Sequence, residues 1–194
     1  AALSGFAASL VAGVVIAFFF SQSRLIRISC YLYAIFLQTV PIVAIAPLVI
    51  NWFGSGFRSI VIITFVISLF PIITSTTTGM LAVDPELLDL FRLNRASRWQ
   101  IWLKLRLPNA VPHLITGART SSGLSVVGAL VGEYFAGFGV NNYGLGFLIG
   151  RNTSQMRTDE LFAAVIASTL LGITIFGAVS IVGAFILNRW YDTK

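Results

Sequence analysis

Charged residues are scarce in this chain, and so are cysteine, histidine and lysine. Charged residues make up 10% of its 194 positions, whereas a soluble domain of average composition has about 25%. Hydrophobic residues make up 57%, and the mean hydropathy is +0.89. This shortage of charge excludes an ordinary soluble domain and favours a membrane protein that contacts the lipid bilayer.

The residue types that hold metals and phosphates are nearly absent. One cysteine, Cys30, excludes an intramolecular disulfide, and with one histidine, His113, it disfavours a zinc site. Neither lysine, Lys104 or Lys194, follows a glycine as a phosphate-binding loop requires, so no ATP site of that kind is predicted. We therefore expect no catalytic residue, metal or cofactor. Cys30 is interpreted as a small apolar core residue, and His113 as a headgroup-level residue at the start of a helix.

Long uncharged runs are abundant instead. A helix needs about 20 apolar residues to cross the hydrocarbon of a bilayer, and several runs reach that length. They are residues 1–23, 28–57, 59–83 and 161–188, with a fifth at 112–136 that carries Arg119 and Glu133 near its ends. Pro41 and Pro47 predict a kink or split in the second run. The fold class predicted is all-α, a polytopic membrane protein with about five transmembrane helices, and residues 1–194 are predicted to form one domain.

Residues 84–112 form the long polar interruption of this pattern, and their first half predicts a short amphipathic helix. Asp84 is suited to cap a helix whose first residue is Pro85, and Glu86 is favourable at the positive helix end. Asn94 is predicted to end the helix by adopting the left-handed conformation. The predicted apolar face consists of Leu87, Leu90 and Phe91.

The second half predicts another short helix. Ser97 and Gln100 have the spacing of a capping box, and Pro108 and Pro112 are predicted to end this helix and begin the next. One face would consist of Trp99, Trp102, Leu103 and Arg106. The basic residues of the stretch are Arg92, Arg95, Arg98, Lys104 and Arg106. Such a segment suits either a protein-docking surface or a helix lying on lipid headgroups.

The spacing of this stretch resembles the signature loop of permease subunits of binding-protein-dependent ABC importers. That signature reads Glu-Ala-Ala, three residues, Gly, nine residues, then Ile-x-Leu-Pro. Asp89 stands at the Glu position, Leu90 and Phe91 at the two Ala positions, and Leu105, Leu107 and Pro108 at the final Ile, Leu and Pro. Arg95 occupies the Gly position, which is the one clear departure. The segments PIVAIAPLVINWFGSG, PNAVPHLITGAR and GLGFLI also resemble segments of this family.

The resemblance implies a function and a set of partners. It is closest in type to permeases for nitrate, sulfonates, taurine and thiamine precursors, so the substrate would be a small anion or small organic solute. An ABC ATPase dimer would hydrolyse ATP, an extracytoplasmic solute-binding protein would deliver substrate, and no nucleic acid would bind. Residues 84–108 would be the cytoplasmic coupling loop. The expected ATPase-docking residues are Glu86, Asp89, Leu90, Phe91, Arg95, Ala96, Ser97 and Pro108. Members of this type usually have one further N-terminal helix, which is expected to be missing here.

The distribution of basic residues predicts the orientation in the plasma (inner) membrane. With the loop on the cytoplasmic side, that side holds nine lysines and arginines against three outside, as the positive-inside rule requires. The inner set is Arg24, Arg27, Arg92, Arg95, Arg98, Lys104, Arg106, Arg189 and Lys194; the outer set is Arg58, Arg151 and Arg157. Five crossings then put Ala1 outside.

Three polar residues are candidates for lining a solute pathway: Thr74, Thr78 and Glu133. The threonines alternatively bond to their own helix backbone. Glu133 alternatively lies at the outer interface, where water solvates it. The small-residue face of 2–20 and the Gly128-x-x-x-Gly132 pattern need close helix partners within or between subunits, and we therefore expect a homodimer or pseudo-dimer of permeases, most simply a homodimer. The alternative functions are a secondary transporter, for which intramembrane charges are few, and a non-transporting membrane scaffold.

Overall fold

The fold is described from a computed structural model of the chain. The structure describes residues 1–23, 25, 27–29, 36, 39, 41–136 and 144–190, and of residue 190 it describes the backbone but not the side chain. Arg24, Cys30, the loop 137–143 and Lys194 lie outside the described residues, so what was predicted for them stays a prediction.

The described residues form an all-helical membrane protein, which confirms the predicted fold class. The helices are α1 (Ala2–Gln22), α2 (Ile42–Phe53), α3 (Phe57–Leu81), α4 (Pro85–Leu93), α5 (Arg98–Ile101), a π-helical turn (Trp102–Arg106), α6 (Leu107–Ala136), α7 (Leu145–Ser154) and α8 (Thr158–Trp190). Among the described residues, α1, α3, the continuous helix Arg98–Ala136 and α8 are long and apolar enough to cross a membrane. The apolar α2 has 12 residues, about 18 Å of helix. It is the helix that the structure describes after Pro41 in the second predicted span.

α3 and α6 form the centre of the bundle, and α1 packs beside them on α3. The glycine pattern of α6 faces α3 directly: a Cβ at Gly128 would lie 2.6 Å from Ile67 Cγ2, and one at Gly132 would lie 3.1 Å from the Ile60 Cα. The small face of α1 also meets α3, since a Cβ at Gly5 would lie 2.6 Å from Thr64 Cβ. These small-residue faces therefore pack inside the subunit. Of the two predicted placements, within or between subunits, these contacts are within the subunit, and the expected second permease stays a prediction.

The two ends of the bundle are distinguished by their contacts. At one end, Arg106 of the π-helical turn donates a hydrogen bond to the Ser21 carbonyl oxygen near the end of α1. At the other end, Ala1 and Ala2 pack against a cluster containing Ile60 and Ala136. The start of α1 and the signature loop thus lie at opposite ends, as the predicted orientation requires.

The helix from Arg98 to Ala136 is continuous, so the prediction that Pro108 and Pro112 end and restart a helix was wrong. The Leu107 amide donates to the carbonyl oxygen of Trp102, five residues earlier, which is the π-helical spacing. The helix is already irregular where Pro108 enters, so its missing amide costs little extra. His113 consequently lies inside α6 and not at the start of a helix.

Candidate docking loop and pathway site

The N-terminus of α4 forms as its sequence predicts. Asp84 Oδ1 accepts a hydrogen bond from the Glu86 amide at 2.9 Å, and Pro85 is the first helical residue. Asp89 pairs with Arg92 one turn later at 3.1 Å, with both side chains about two-thirds exposed. Because an exposed pair of this kind contributes at most about 1 kcal/mol, the carboxylates of Glu86 and Asp89 remain available to a partner.

The C-terminus of α4 differs from the prediction by one residue. Arg95 has φ +53°, whereas Asn94 has φ −79°. The Ala96 amide donates to the Phe91 carbonyl oxygen at 3.0 Å and the Arg95 amide donates to that of Arg92 at 2.9 Å. This is a Schellman motif, in which the residue after the C-cap takes the left-handed conformation. The prediction that Asn94 would be left-handed was therefore wrong, although Asn94 does end the helix, and its Nδ2 donates to the Leu90 carbonyl oxygen.

The position of the left-handed residue explains the signature motif. The motif places Gly where this chain has Arg95, and glycine is the residue that adopts positive φ without a steric cost. The turn persists with arginine because the hydrogen bonds on both sides of it are formed. The same geometry recurs after α7, where Met156 has φ +53° and the Arg157 amide donates to the Asn152 carbonyl oxygen at 3.0 Å.

The capping box of α5 is confirmed. The Gln100 amide donates to Ser97 Oγ at 3.2 Å, and the Ser97 amide donates to Gln100 Oε1 at 2.8 Å. These reciprocal bonds satisfy two amides that would otherwise lack partners at the start of the helix. α5 itself has four residues and continues through the π-helical turn into α6. The second half of the loop is thus the end of a membrane helix, not a separate short one.

Three aromatic rings fix the loop against α1. Phe18 lies edge-on to Trp99 and Trp102, with ring centroids 6.0 and 4.7 Å apart, and the two indoles stack at 5.1 Å. Aromatic pairs of this geometry contribute about 0.5–1.5 kcal/mol each beyond the area they bury. With the Arg106–Ser21 hydrogen bond, they make the loop part of the α1–α6 framework.

The apolar face of α4 is largely uncovered. Leu87, Leu90 and Leu93 are 48%, 55% and 84% exposed, and Trp99 beside them is 59% exposed. Leu93, three residues after Leu90, did not figure in the sequence prediction. A cluster of exposed apolar side chains on a polar segment marks an interaction surface.

The candidate pathway threonines line one cavity. It has a volume of about 380 Å³ and lies between α3 and α6; its lining residues are Thr74, Ser75, Thr78, Pro112, His113 and Thr116. Thr74 Oγ1 also donates back to the Phe70 carbonyl oxygen at 3.1 Å, so backbone bonding and cavity lining occur together. The Nδ1 of His113 is buried and has no partner among the described residues. Sequence reasoning missed His113 here because its helix was predicted to start at that point.

Glu133 lies elsewhere, against the start of α7. Its Oε2 accepts a hydrogen bond from the Gly146 amide at 3.0 Å, where the positive end of the helix dipole favours a carboxylate. A Cβ at Gly144 would lie 2.3 Å from that oxygen, and one at Gly146 would lie 2.1 Å from the Leu130 carbonyl oxygen. The structure therefore does not bring Glu133 together with Thr74 and Thr78, and a pathway role for it stays a prediction.

Among the described residues, Arg119 is the charged residue that lies far from both ends of a membrane helix. Arg119 is in the middle of α6, and its Nη2 donates to the Ser180 carbonyl oxygen of α8 at 3.4 Å. Its Nε is buried without a partner among the described residues. This side chain links α6 to α8, which otherwise leaves most of its spanning surface uncovered.

Comparison with known proteins places this geometry in context. Residues 9–194 match the family described as binding-protein-dependent transport system inner membrane component. The formylaminopyrimidine transport permease protein ThiX of Halalkalibacterium halodurans is 31% identical over 90% of this chain and 68% of its own. The riboflavin transport system permease protein RibX of Chloroflexus aurantiacus is 34% identical over 79% and 55%. The nitrate import permease protein NrtB of Leptolyngbya laminosa is 26% identical over 95% and 62%. The chain thus spans about 55–68% of the length of these relatives.

Proposed function

Because the chain belongs to the inner membrane permease components of binding-protein-dependent ABC importers, we propose that residues 84–108 dock on an ATPase subunit and transmit its movement to the membrane helices. The family is one of non-catalytic, multi-pass membrane subunits. ATP hydrolysis is accordingly assigned to the partner and not to this chain. This family membership argues against the two alternatives, a secondary transporter and a scaffold, and no observation on the described residues favours either of them.

The observation that carries the proposal is the continuity of α5 with α6. A force applied to the loop reaches the bundle centre through an unbroken helix from Arg98 to Ala136. Backbone hydrogen bonds close the Schellman turn at Arg95, and backbone-to-side-chain bonds form the capping box at Ser97, so both sides of the short link between α4 and this helix are fixed. Packed helices of this kind move as rigid bodies and do not deform gradually. Rocking of α4 and α5 would therefore tilt α6 together with α3.

The predicted docking residues fall into two groups. The exposed group, with more than a third of each residue's surface exposed and thus suited to direct contact, is Glu86, Asp89, Leu90, Arg95 and Ser97. The half-buried group, which supports the turn and the helix instead, is Phe91, Ala96 and Pro108. The exposed leucines would supply apolar contact area, and the carboxylates would select a basic patch on the ATPase.

Crosslinking tests the docking proposal. In a variant without Cys30, cysteine is introduced at Asp89 or Leu90 and the permease is co-expressed with its ATPase. Both variants are expected to crosslink to the ATPase in the assembled complex. Cysteine at Ser55, exposed in the turn between α2 and α3 at the other end of the bundle, is the matched control. Crosslinking at Ser55 but not at the α4 positions would reverse the proposed orientation.

The cavity lined by Thr74 and Thr78 is the part of this chain that we assign to the solute pathway. Among the described residues, its wall offers hydroxyls and one imidazole and no carboxylate, lysine or arginine. Such a wall suits a neutral or weakly charged small solute that makes several hydrogen bonds. Relatives named for formylaminopyrimidine, riboflavin and nitrate transport give the range of small anions and small organic solutes. A second permease subunit, which we propose by family resemblance, would close the open side of this cavity.

Thiol labelling tests the pathway assignment. Cysteine at Thr78, which is exposed, is expected to react with a water-soluble reagent at a rate that changes between nucleotide-free and ATP-bound complexes. Cysteine at Thr77, which is 4% exposed, is the control and should stay slow in both. Equal rates at Thr78 in the two states would remove this cavity from the transport cycle.

A further inference from the structure

A cavity of about 320 Å³ lies between the end of α1 and the signature loop. Three arginines line it, each from a different element: Arg92 from α4, Arg98 from α5 and Arg106 from the π-helical turn. Gln22, the last residue of α1, and Trp102 complete the polar and aromatic parts of the wall. Guanidinium groups that converge from separate elements on one cavity form a site for an anion.

Positive charge in this cavity is poorly compensated. Asp89 pairs with Arg92, and the other ion pair found in the described part of the chain joins Arg157 to Glu160. Arg98 and Arg106 thus have no carboxylate partner among the described residues. Arg106 is partly buried, and like charges that line one cavity repel each other. An anion in the cavity would relieve this repulsion.

The position of the cavity favours a phosphate from the membrane. The apolar helix α1 ends at Gln22, and the rings of Phe18, Trp99 and Trp102 cluster at the same level. Aromatic and basic side chains together are typical of the headgroup region. The planar, forked guanidinium group binds phosphate oxygens in pairs, so three such groups can hold one phosphate from several sides.

We propose that this cavity binds a phosphate-type oxyanion, supplied by the headgroup of an anionic phospholipid in the adjacent leaflet. The bound phosphate would bridge α4, α5 and the end of α1, so that the loop would be firmest when the lipid is present. This site lies on the membrane side of the loop, whereas the surface proposed for ATPase docking is the exposed face of α4. The inference therefore does not depend on the docking proposal.

Lipid retention tests the site. The full chain is placed in nanodiscs of phosphatidylcholine with increasing phosphatidylglycerol, and the lipids that remain bound after release are identified by native mass spectrometry. We expect phosphatidylglycerol to be retained by the wild-type protein and its binding to weaken about fivefold in Arg98→Gln, since one arginine near a membrane surface contributes about 1 kcal/mol. Lys104→Gln is the matched control, because Lys104 is exposed in the same segment and does not line the cavity. Arg92→Gln is a second variant that leaves the Arg106–Ser21 bond intact.

Inorganic phosphate in nanodiscs of phosphatidylcholine alone separates the two sources of the anion. If phosphate, against chloride at equal ionic strength, slows amide exchange in α4 of the wild-type protein but not of Arg98→Gln, the oxyanion site is supported and is open to soluble phosphate. Protection by phosphatidylglycerol alone supports the lipid headgroup. Equal weakening in Lys104→Gln and Arg98→Gln would show general attraction to charged lipid and overturn the proposal.

Discussion

Replacing Arg95 by glycine should make the signature loop more stable. Arg95 holds φ +53° at the residue after the α4 C-cap, a conformation that costs an L-residue about 1–2 kcal/mol. Glycine avoids that cost but loses about 0.5–1 kcal/mol more conformational entropy on ordering. The net gain expected is about 0.5–1 kcal/mol, or a factor of two to five in local opening. Arg95→Ala removes the same guanidinium while keeping the strain, so it isolates the backbone effect.

Amide hydrogen exchange at Ala96 measures this gain, because its amide closes the turn onto the Phe91 carbonyl oxygen and exchanges when the turn opens. Exchange in Arg95→Gly should be about two to five times slower than in Arg95→Ala. Met156→Gly is a matched control: it relieves the same φ after α7 and should slow the Arg157 amide without affecting Ala96. If Arg95→Gly exchanges as fast as Arg95→Ala, the strain assigned to this residue is absent.

The same two variants separate the turn from the side chain in ATPase docking. Both lack the guanidinium, so a direct contact from Arg95 to an ATPase carboxylate would weaken docking equally in Arg95→Gly and Arg95→Ala. A role in shaping the loop would instead leave Arg95→Gly at wild-type affinity or better. The measurement is the affinity of the solubilised permease for the purified ATPase, and docking that fails only in Arg95→Gly would contradict both explanations.

Three further substitutions test the packing around the loop and the bundle. Gly128→Leu should lower the melting temperature of the purified subunit by overpacking the α3–α6 contact, at a cost of about 1–3 kcal/mol or more. Its control Gly123→Ala, where a Cβ meets nothing within 4 Å, should not lower it, because alanine is favoured over glycine inside a helix. Gly146→Ala should displace α7 from Glu133 and increase protease cleavage between α6 and α8; unchanged cleavage would show that α7 is held by other contacts. Phe18→Ala should speed amide exchange in α5, because it removes the edge contacts to the loop tryptophans, and unaltered exchange would assign that rigidity to the capping box alone.

Local signals in this sequence predicted local structure well. The cap at Asp84 and the capping box at Ser97 depend on residues two or three positions apart, so the side-chain type and spacing specify them. The membrane spans are predicted from the hydrophobic composition of each run, which likewise does not depend on contacts between distant residues. The left-handed residue was predicted one position too early, at Asn94, because asparagine adopts that conformation more readily than arginine. The hydrogen-bond pattern of the turn requires it at Arg95 instead.

Features that depend on distant contacts could not be read from the sequence. The hydrogen bond from Gly146 to Glu133 joins residues thirteen positions apart across a segment outside the described residues, and no periodicity indicates it. The small-residue face of α6 was recognised, but the sequence could not decide whether its partner helix lies in the same subunit or in another. Pro108 was interpreted as a helix end since the π-helical turn before it leaves no compositional trace.

The π-helical turn determines how the residues before it are rotated about the helix axis relative to α6. Each residue of an α-helix advances the side chains by about 100° around the axis, and a π-helical turn arises when one extra residue is accommodated within a helix. Removing one residue from Trp102–Arg106 would let α5 and α6 join as a regular helix, but would rotate everything before it by roughly a quarter turn. Trp99 would leave Phe18, and the exposed side of α4 would point in another direction. The nine-residue spacing of the signature, residues 96–104, overlaps this turn and therefore sets the rotational orientation of α4 relative to α6.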